Sequence, residues 1–298
     1  MEIKPTAETL ELIARQAVEG FIIGLHKSPF HGFSVEFAEH RQYNPGDDLR
    51  HIDWRVYGRS ERFFIKKHEE ETNLRCCILL DTSSSMQFPD GGRWNKLQYG
   101  CLVAASLLQL LKRQLDATSL ALFDESVYFT TECRSAGTHY RRLQQELARV
   151  FALEEKMRPS NIAQAIHQIA DQVHRRSLVV VISDMVETQE ELNDLFDALQ
   201  HLRYNKHEVI LVQVLSRKEE IEFAFENRPY EFVDLETGLH TRLQAGDLKD
   251  QYRRAMNEFR VAIENQCYKY NISRVEVDLE APVDEVLHAF LLKRNKMQ

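Results

Sequence analysis

From residue 75 onwards, short apolar runs alternate with amphipathic segments along the chain. Residues 76–80 and 178–182 are continuously apolar, a pattern typical of parallel strands that are covered on both faces. Between such runs, apolar residues recur every three or four positions, which predicts helices packed on a core. The remaining predicted elements are, in chain order, helix 94–112, a hairpin of strands 120–123 and 127–129, helices 140–151, 161–173 and 192–202, strand 209–215, a weaker strand 230–233, helix 247–265, strand 274–277 and helix 283–292.

Strands that alternate with helices predict an α/β fold, a doubly wound and mostly parallel sheet with helices on both faces. Residues 274–277 alternate in polarity, which is typical of an edge strand. The long helix is predicted to bury one face, formed by Leu248, Tyr252, Met256, Phe259 and Ile263.

The N-terminal part of the chain lacks the alternation of apolar strands and amphipathic helices that begins at residue 75, which predicts two domains. These are an N-terminal α+β extension over residues 1–74 and the α/β domain over residues 75–298. A short helix is predicted over residues 7–18, followed by irregular chain. Asn44-Pro-Gly-Asp47 predicts a tight turn, because proline presets φ and glycine accepts a positive φ.

The charge of the chain bears on its partners. A net charge of -8 over 298 residues argues against a general nucleic-acid binder, whose affinity comes from neutralising phosphates. Residues 50–67 differ from this acidic background. They interleave basic and aromatic side chains, as a stacking groove for bases does. We favour the alternative, a strand pair with a cationic outer face, so nucleic acid is not an expected partner.

Cysteine usage and hydropathy indicate the compartment. The five cysteines form no CxxC pair, which favours buried, reduced thiols over disulfides or a zinc site. No apolar run approaches the length of a membrane span. The first residues lack the basic-then-apolar layout of a secretory signal, so the expected location is the cytoplasm.

Hydroxyl and carboxylate side chains follow the two most apolar strands of the predicted sheet. The first strand runs into Asp81-Thr-Ser-Ser-Ser85 and the second into Ser183-Asp184. Ser160 precedes a predicted helix on a neighbouring loop. Ligand sites of open α/β sheets lie beyond the carboxyl ends of the strands. Magnesium prefers six oxygen ligands, so the sequence predicts a Mg²⁺ site, with Mn²⁺ or Ca²⁺ as alternatives.

The predicted metal ligands are Asp81, Ser83, Ser85, Ser160 and Asp184, the last of them binding directly or through water. Such a site leaves the ion under-neutralised and with an open position, which a carboxylate of a protein partner would complete. In the competing interpretation, the Asp81 loop and Ser160 simply cap the helices that follow them. D-x-S-x-S alone is a weak pattern, and its place after a buried strand strengthens it.

Two stretches resemble known families. Ile78-Leu-Leu-Asp81-Thr-Ser-Ser-Ser-Met86 is similar to the metal-ion-dependent adhesion site of von Willebrand factor A-type domains. Upstream, Tyr43-Asn-Pro-Gly-Asp-Asp-Leu-Arg-His-Ile-Asp-Trp54 resembles the signature of domain-of-unknown-function family 58, in which such a domain follows, and Lys66-Lys-His-Glu-Glu-Glu71 also fits. The resemblance covers roughly residues 35 to 185.

The resemblance implies a von Willebrand factor A-like fold and a MoxR-type AAA+ ATPase as partner. By position, Asp81, Ser83, Ser85 and Asp184 match the metal loops, and Ser160 stands where that family usually has threonine. Some family members carry membrane spans. The upstream motif has charged residues that form either an ion-pair network or a recognition surface, and we favour the network. These residues are Asp47, Asp48, Arg50, Asp53 and Arg55.

The preferred functional hypothesis is a metal-dependent protein-interaction module that acts with the ATPase in protein complex assembly or maturation, and not an enzyme. The alternative is a magnesium-dependent phosphoryl-transfer enzyme of haloacid-dehalogenase type. That chemistry needs a second aspartate two residues after the nucleophile, where this chain has Ser83. There is also no glycine-rich P-loop and no G-x-S-x-G motif.

Overall fold

The computed structural model describes residues 7–27, 40–42, 57–59, 64–66, 74–89, 94–153, 159–185 and 189–297. The chain divides into two units. Residues Ile22–Asn73 form the smaller one, in which strands β1 (His40–Gln42) and β2 (Phe64–Lys66) pair antiparallel. The charged motif at residues 43–54 and most of the basic segment at 50–67 lie outside the described residues.

The larger unit contains Met1–Phe21 and Leu74–Gln298. Its helices are α1 (Ala7–Lys27, as far as Phe21), α2 (Lys96–Arg113), α3 (Gly137–Phe151), α4 (Ile162–Gln172), α5 (Gln189–Tyr204), α6 (Ala245–Lys269) and α7 (Asp284–Met297). Its strands are β3 (Arg75–Asp81), β4 (Ala117–Phe123), β5 (Val127–Thr130), β6 (Leu178–Ser183), β7 (Glu208–Leu215), β8 (Pro229–Val233), β9 (His240–Gln244) and β10 (Ser273–Asp278).

A six-stranded sheet forms the centre of this unit, with the strand order β10-β7-β6-β3-β4-β5. All neighbours are parallel except β4 and β5, which form the predicted hairpin. The predicted edge strand is β10, which lies at one end of the order. The prediction of a mixed α/β fold with a mostly parallel sheet flanked by helices is confirmed.

The helices cover the sheet on its two faces. On one face, alternate residues of β3 and β6, among them Leu79 and Val181, share a buried apolar core with residues of α4, α5 and α6. On the other face, α2 approaches so closely that a Cβ atom on Gly100 would lie 3.0 Å from Leu80 Cδ1 and 3.3 Å from Ile182 Cγ2. Because both faces are covered, the two central strands are apolar throughout, which is why their sequences lack alternation.

Three elements differ from their prediction. Helix α1 continues past residue 18, where Phe21 extends its buried face, and its residues up to Phe21 belong to the larger unit. Strand β8 pairs with β9, which the sequence did not predict, in a separate antiparallel hairpin. Of the five residues expected to be buried on α6, Ile263 is buried and the other four are half-buried, because the first half of α6 packs beside β9 and the turn 217–221.

The cysteines of the chain carry no disulfide among the described residues. All five cysteines are free thiols, and Cys133 alone is half-buried rather than buried. Burial raises the pKa of Cys77 to about 12, which keeps that thiol protonated and unreactive. Among the helices in the described ranges, none is both long and apolar enough to cross a membrane.

Candidate functional site

Asp81 is the last residue of β3 and is fully buried, with 0% exposure. Its carboxylate accepts three hydrogen bonds. Oδ2 accepts from the Ser183 hydroxyl at 2.8 Å and from the Ser160 hydroxyl at 3.3 Å. Oδ1 accepts from the Ser83 backbone N–H at 2.9 Å. Parallel pairing of β3 with β6 brings Ser183 to this rim of the sheet, as the strand-end argument predicted.

The loop after Asp81 is shaped by its own side chains. The bond from Ser83 N–H to the Asp81 carboxylate closes a turn of the kind that aspartate favours. The Ser83 and Ser85 hydroxyl oxygens are 3.1 Å apart and hydrogen-bonded. Thr82 faces away, since both its N–H and its hydroxyl donate to the Phe123 carbonyl at 2.8 Å and so tie the loop to β4. The D-x-S-x-S spacing therefore places the hydroxyls of Ser83 and Ser85 on the side of Asp81, while Thr82 points towards β4.

The capping interpretation does not describe these serines. Asn161, not Ser160, caps α4, because its side chain accepts from the Gln164 N–H at 2.9 Å. The short 3-10 turn Ser85–Gln87 is not capped by a side chain. The Ser160 hydroxyl instead donates to Asp81.

Asp184 follows β6, and its carboxylate is held by a lysine. Lys96 Nζ donates to Asp184 Oδ2 at 2.6 Å and to Glu220 Oε1 at 2.8 Å. Lys96 is 2% exposed, and the two carboxylates are also buried. Glu220 Oε2 accepts in turn from the Ser216 N–H at 2.7 Å, and Gln213 Nε2 donates to the Asp184 carbonyl at 3.1 Å. Asp184 is thus oriented by this ion-pair network.

The pKa values of this region reflect buried negative charge. Burial, followed by the charge of Asp184, raises the pKa of Asp81 from 3.8 to about 7, against the hydrogen bonds from Ser83 and Ser183. Burial also lowers the pKa of Lys96, but the Asp184 and Glu220 carboxylates outweigh it and raise that pKa above its usual value. One ammonium therefore faces several carboxylates, and the rim has an excess of negative charge that a divalent cation would offset.

A glutamate that the sequence reading did not single out also reaches the site. Glu236 lies in the turn between β8 and β9, and its Oε2 accepts from the Ser160 backbone N–H at 3.1 Å. Burial raises the pKa of this carboxylate, and the nearby Ser85 hydroxyl opposes that rise. Glu236 therefore lies beside two of the five predicted metal ligands.

The donor set fits a hard cation. The predicted ligands offer only oxygen atoms, from two carboxylates and three hydroxyls, and no nitrogen or sulfur. Within the described residues, no group of three or more histidine, cysteine or acidic side chains is arranged to hold a metal ion. Binding would therefore depend on Asp81 with the hydroxyls of Ser83, Ser85 and Ser160. Asp184 would act through water, because Lys96 engages its carboxylate.

Sequence reasoning missed Lys96, Glu220 and Glu236. Lys96 carried a usable signal, since it is the first residue of α2, and a cation is unfavourable at a helix N-terminus unless something pairs with it. Glu220 and Glu236 carried none, because both lie in charged segments that look like ordinary surface.

Comparison with protein families matches residues 39–262 to the family described as "Protein of unknown function DUF58". Uncharacterized proteins of Mycobacterium bovis and of Mycobacterium tuberculosis are 24% identical over 211 residues, which cover 71% of this chain. The match spans 64% of the length of these relatives.

Solved structures that match the chain include an aerotolerance-related membrane protein from Bacteroides fragilis. It has a TM-score of 0.49 and 15% identity, over 75% of this chain and 99% of that one. The conserved hypothetical protein BatB from Bacteroides thetaiotaomicron has a TM-score of 0.43 and 12% identity, over 73% of this chain and 99% of that one. Since the family model covers most of the chain, including β3, α4, β6 and the Glu236 turn, the protein belongs to the DUF58 family.

Proposed function

We propose that this chain is a metal-dependent protein-interaction module, in which a Mg²⁺ ion bound at the Asp81 loop takes a carboxylate from a protein partner. The observation that carries the proposal is the convergence of one buried carboxylate and hydroxyls from separate loops. Asp81 accepts from Ser160 and Ser183, and the Ser83 and Ser85 hydroxyls lie on the same loop. Neutral hydroxyl ligands leave a bound cation with positive charge, which favours an additional anionic ligand.

The partner is inferred from two grounds. The chain resembles von Willebrand factor A-type domains, and members of the DUF58 family resemble partners of MoxR-type AAA+ ATPases. We propose that the chain acts with such an ATPase in the assembly or maturation of protein complexes. The role is binding and not catalysis, because Ser83 stands where phosphoryl transfer of the haloacid-dehalogenase type requires a second acid.

The test combines metal binding with partner capture. Calorimetry with Mg²⁺ should show binding to the native chain and none to Asp81→Asn, because the variant loses the buried negative ligand. In pull-downs from cell extract, an AAA+ ATPase of the MoxR type should be retained with Mg²⁺ and lost with chelator or in Asp81→Asn.

Glu125→Ala provides the matched control, since Glu125 is an exposed acidic residue in the β4–β5 turn. It should leave both metal binding and capture unchanged. If Asp81→Asn still retains the ATPase, and the native chain does so in the presence of chelator, the interaction does not depend on a bound metal ion. Hydrolysis of a generic phosphate ester that Asp81→Asn abolishes would favour the enzyme instead.

A further inference from the structure

Hydrogen bonds through Ser160 connect the Glu236 carboxylate to the predicted metal ligand Asp81. Starting from Asp81, the Ser160 hydroxyl donates to the aspartate and the Ser160 N–H donates to Glu236. On the Asp81 loop, the Ser83 N–H donates to Asp81 and the Ser83 hydroxyl is hydrogen-bonded to that of Ser85. Glu236 therefore lies next to the predicted ligands and adds a carboxylate to the groups that surround the site.

The turn that carries Glu236 is built by Asp234. The Asp234 carboxylate accepts from the N–H groups of Glu236 and Thr237 at 2.9 and 3.2 Å, and from the Thr237 hydroxyl at 2.5 Å. Gly238 closes the turn with a φ of 70°, which suits glycine. The hairpin thus presents one side chain, Glu236, towards the site in a fixed turn.

Aromatic side chains anchor β8 as far as Phe232, two residues before the turn. Phe232 of β8 lies against Phe223 and Phe225, with ring centroids 6.0 and 5.5 Å apart, and Phe223 also contacts Tyr252 of α6 at 4.7 Å. The two strands pair with each other only, within the described part of the chain. The tip carries Leu239, which is 67% exposed. The turn of residues 234–239 extends beyond these aromatic contacts, so it is able to move away from Ser160 at modest cost.

We propose that Glu236 is a built-in carboxylate ligand that occupies the position of the partner's acidic residue and is displaced when the partner binds. This inference rests on the metal site of the proposed function and deepens it. Tethering gives Glu236 an effective concentration in the millimolar range, so that only a partner with contacts beyond its own carboxylate displaces it. The displaced hairpin tip, with its exposed leucine, supplies such contacts.

The experiment uses Mn²⁺ as the probe, because its free ion gives an electron paramagnetic resonance signal that disappears on binding. Glu236→Ala should weaken Mn²⁺ binding on the order of 10- to 100-fold, the range typical for loss of a group that supports a metal site. The matched control is Glu231→Gln, in the same hairpin, where Glu231 pairs with Arg242 on the exposed side. It should bind Mn²⁺ as the native chain does.

Added acetate tests whether Glu236 binds the metal ion directly or only supports the neighbouring ligands. If Glu236 supplies a carboxylate, millimolar acetate should restore Mn²⁺ affinity in Glu236→Ala and have no effect on the native chain, in which the position is already filled. Weakened binding without rescue by acetate would show that Glu236 only holds Ser85 and Ser160 in place, and would overturn the inference. Urea unfolding of each variant checks that the hairpin change leaves the fold intact.

The outcomes also separate this inference from the proposed function. Mn²⁺ binding that Asp81→Asn abolishes but Glu236→Ala leaves unchanged would overturn the role of Glu236 alone. A native chain that binds no Mn²⁺ would overturn both.

Discussion

Asp81 lies among hydroxyl donors, and its carboxylate has no direct cationic partner among the hydrogen bonds that it accepts. The nearby ammonium, Lys96, is bonded to Asp184 and Glu220 instead. Burial of an unpaired carboxylate raises its pKa, since the charged form loses its hydration. The ionised Asp81 carboxylate is therefore electrostatically unfavourable in the folded protein, and a bound cation would stabilise it.

The pH dependence of stability should report this cost. A carboxyl group whose pKa is raised from 3.8 to about 7 in the folded state binds its proton more tightly there than in the unfolded chain. In the metal-free protein, the free energy of unfolding should therefore fall as the pH rises from about 4 to about 7. Asp81→Asn removes this dependence, which urea titrations at several pH values would measure. If the free energy of unfolding depends on pH in the same way in the native chain and in Asp81→Asn, the raised pKa does not belong to Asp81.

Lys96 should be worth more to stability than any surface cation. Lys96→Met leaves the buried carboxylates of Asp184 and Glu220 without their partner, which should cost about 3–5 kcal/mol of the free energy of unfolding. Lys218→Met is the control, because its pair with Glu280 is exposed and should change stability little. Chemical denaturation with chelator present measures both. Equal effects would show that the buried network is not stabilising.

Helix α2 depends on one small residue to reach the sheet. Gly100 is in close contact with Leu80 and Ile182, and an added side chain there meets packed methyl groups. Gly100→Val should lower the free energy of unfolding by about 1–3 kcal/mol through overpacking. Gly137→Val is the matched control, since nothing lies within 4 Å of a Cβ atom at that helical glycine. Thermal unfolding compares the two, and equal stabilities would argue against the close approach.

Which elements the sequence predicts depends on how they are buried. Strands β3 and β6 were predicted from their continuous apolar runs, because burial on both faces leaves no polar positions. Strand β9 was missed, because all five of its residues are exposed and its sequence has no strand periodicity. The first half of α6 was assigned too deep a burial for a related reason: its apolar spacing predicts a helix but not how far the helix extends beyond the sheet.

Binding of a cation should stabilise the whole larger unit, since the Asp81 site joins loops that follow β3 and precede α4. At a hundredfold excess over its dissociation constant, Mg²⁺ should add roughly 2.7 kcal/mol and raise Tm by several degrees. Asp81→Asn should show no such shift. Differential scanning calorimetry measures it, with Ca²⁺ and Mn²⁺ compared to identify the preferred ion. Equal shifts in both proteins would place the ion elsewhere.

The sequence alone determined the alternation of strands and helices, the parallel sheet, and the placement of the Asp81 and Asp184 loops at one rim. These follow from periodicity and from the rule for parallel strand ends, which need only local information. Tertiary structure decided which groups meet there. Ser160 reaches Asp81 across 79 positions, Lys96 joins Glu220 across 124, and Glu236 reaches Ser160 across 76. Such contacts are fixed by how helices and loops pack over the sheet, and no periodicity in the chain encodes them.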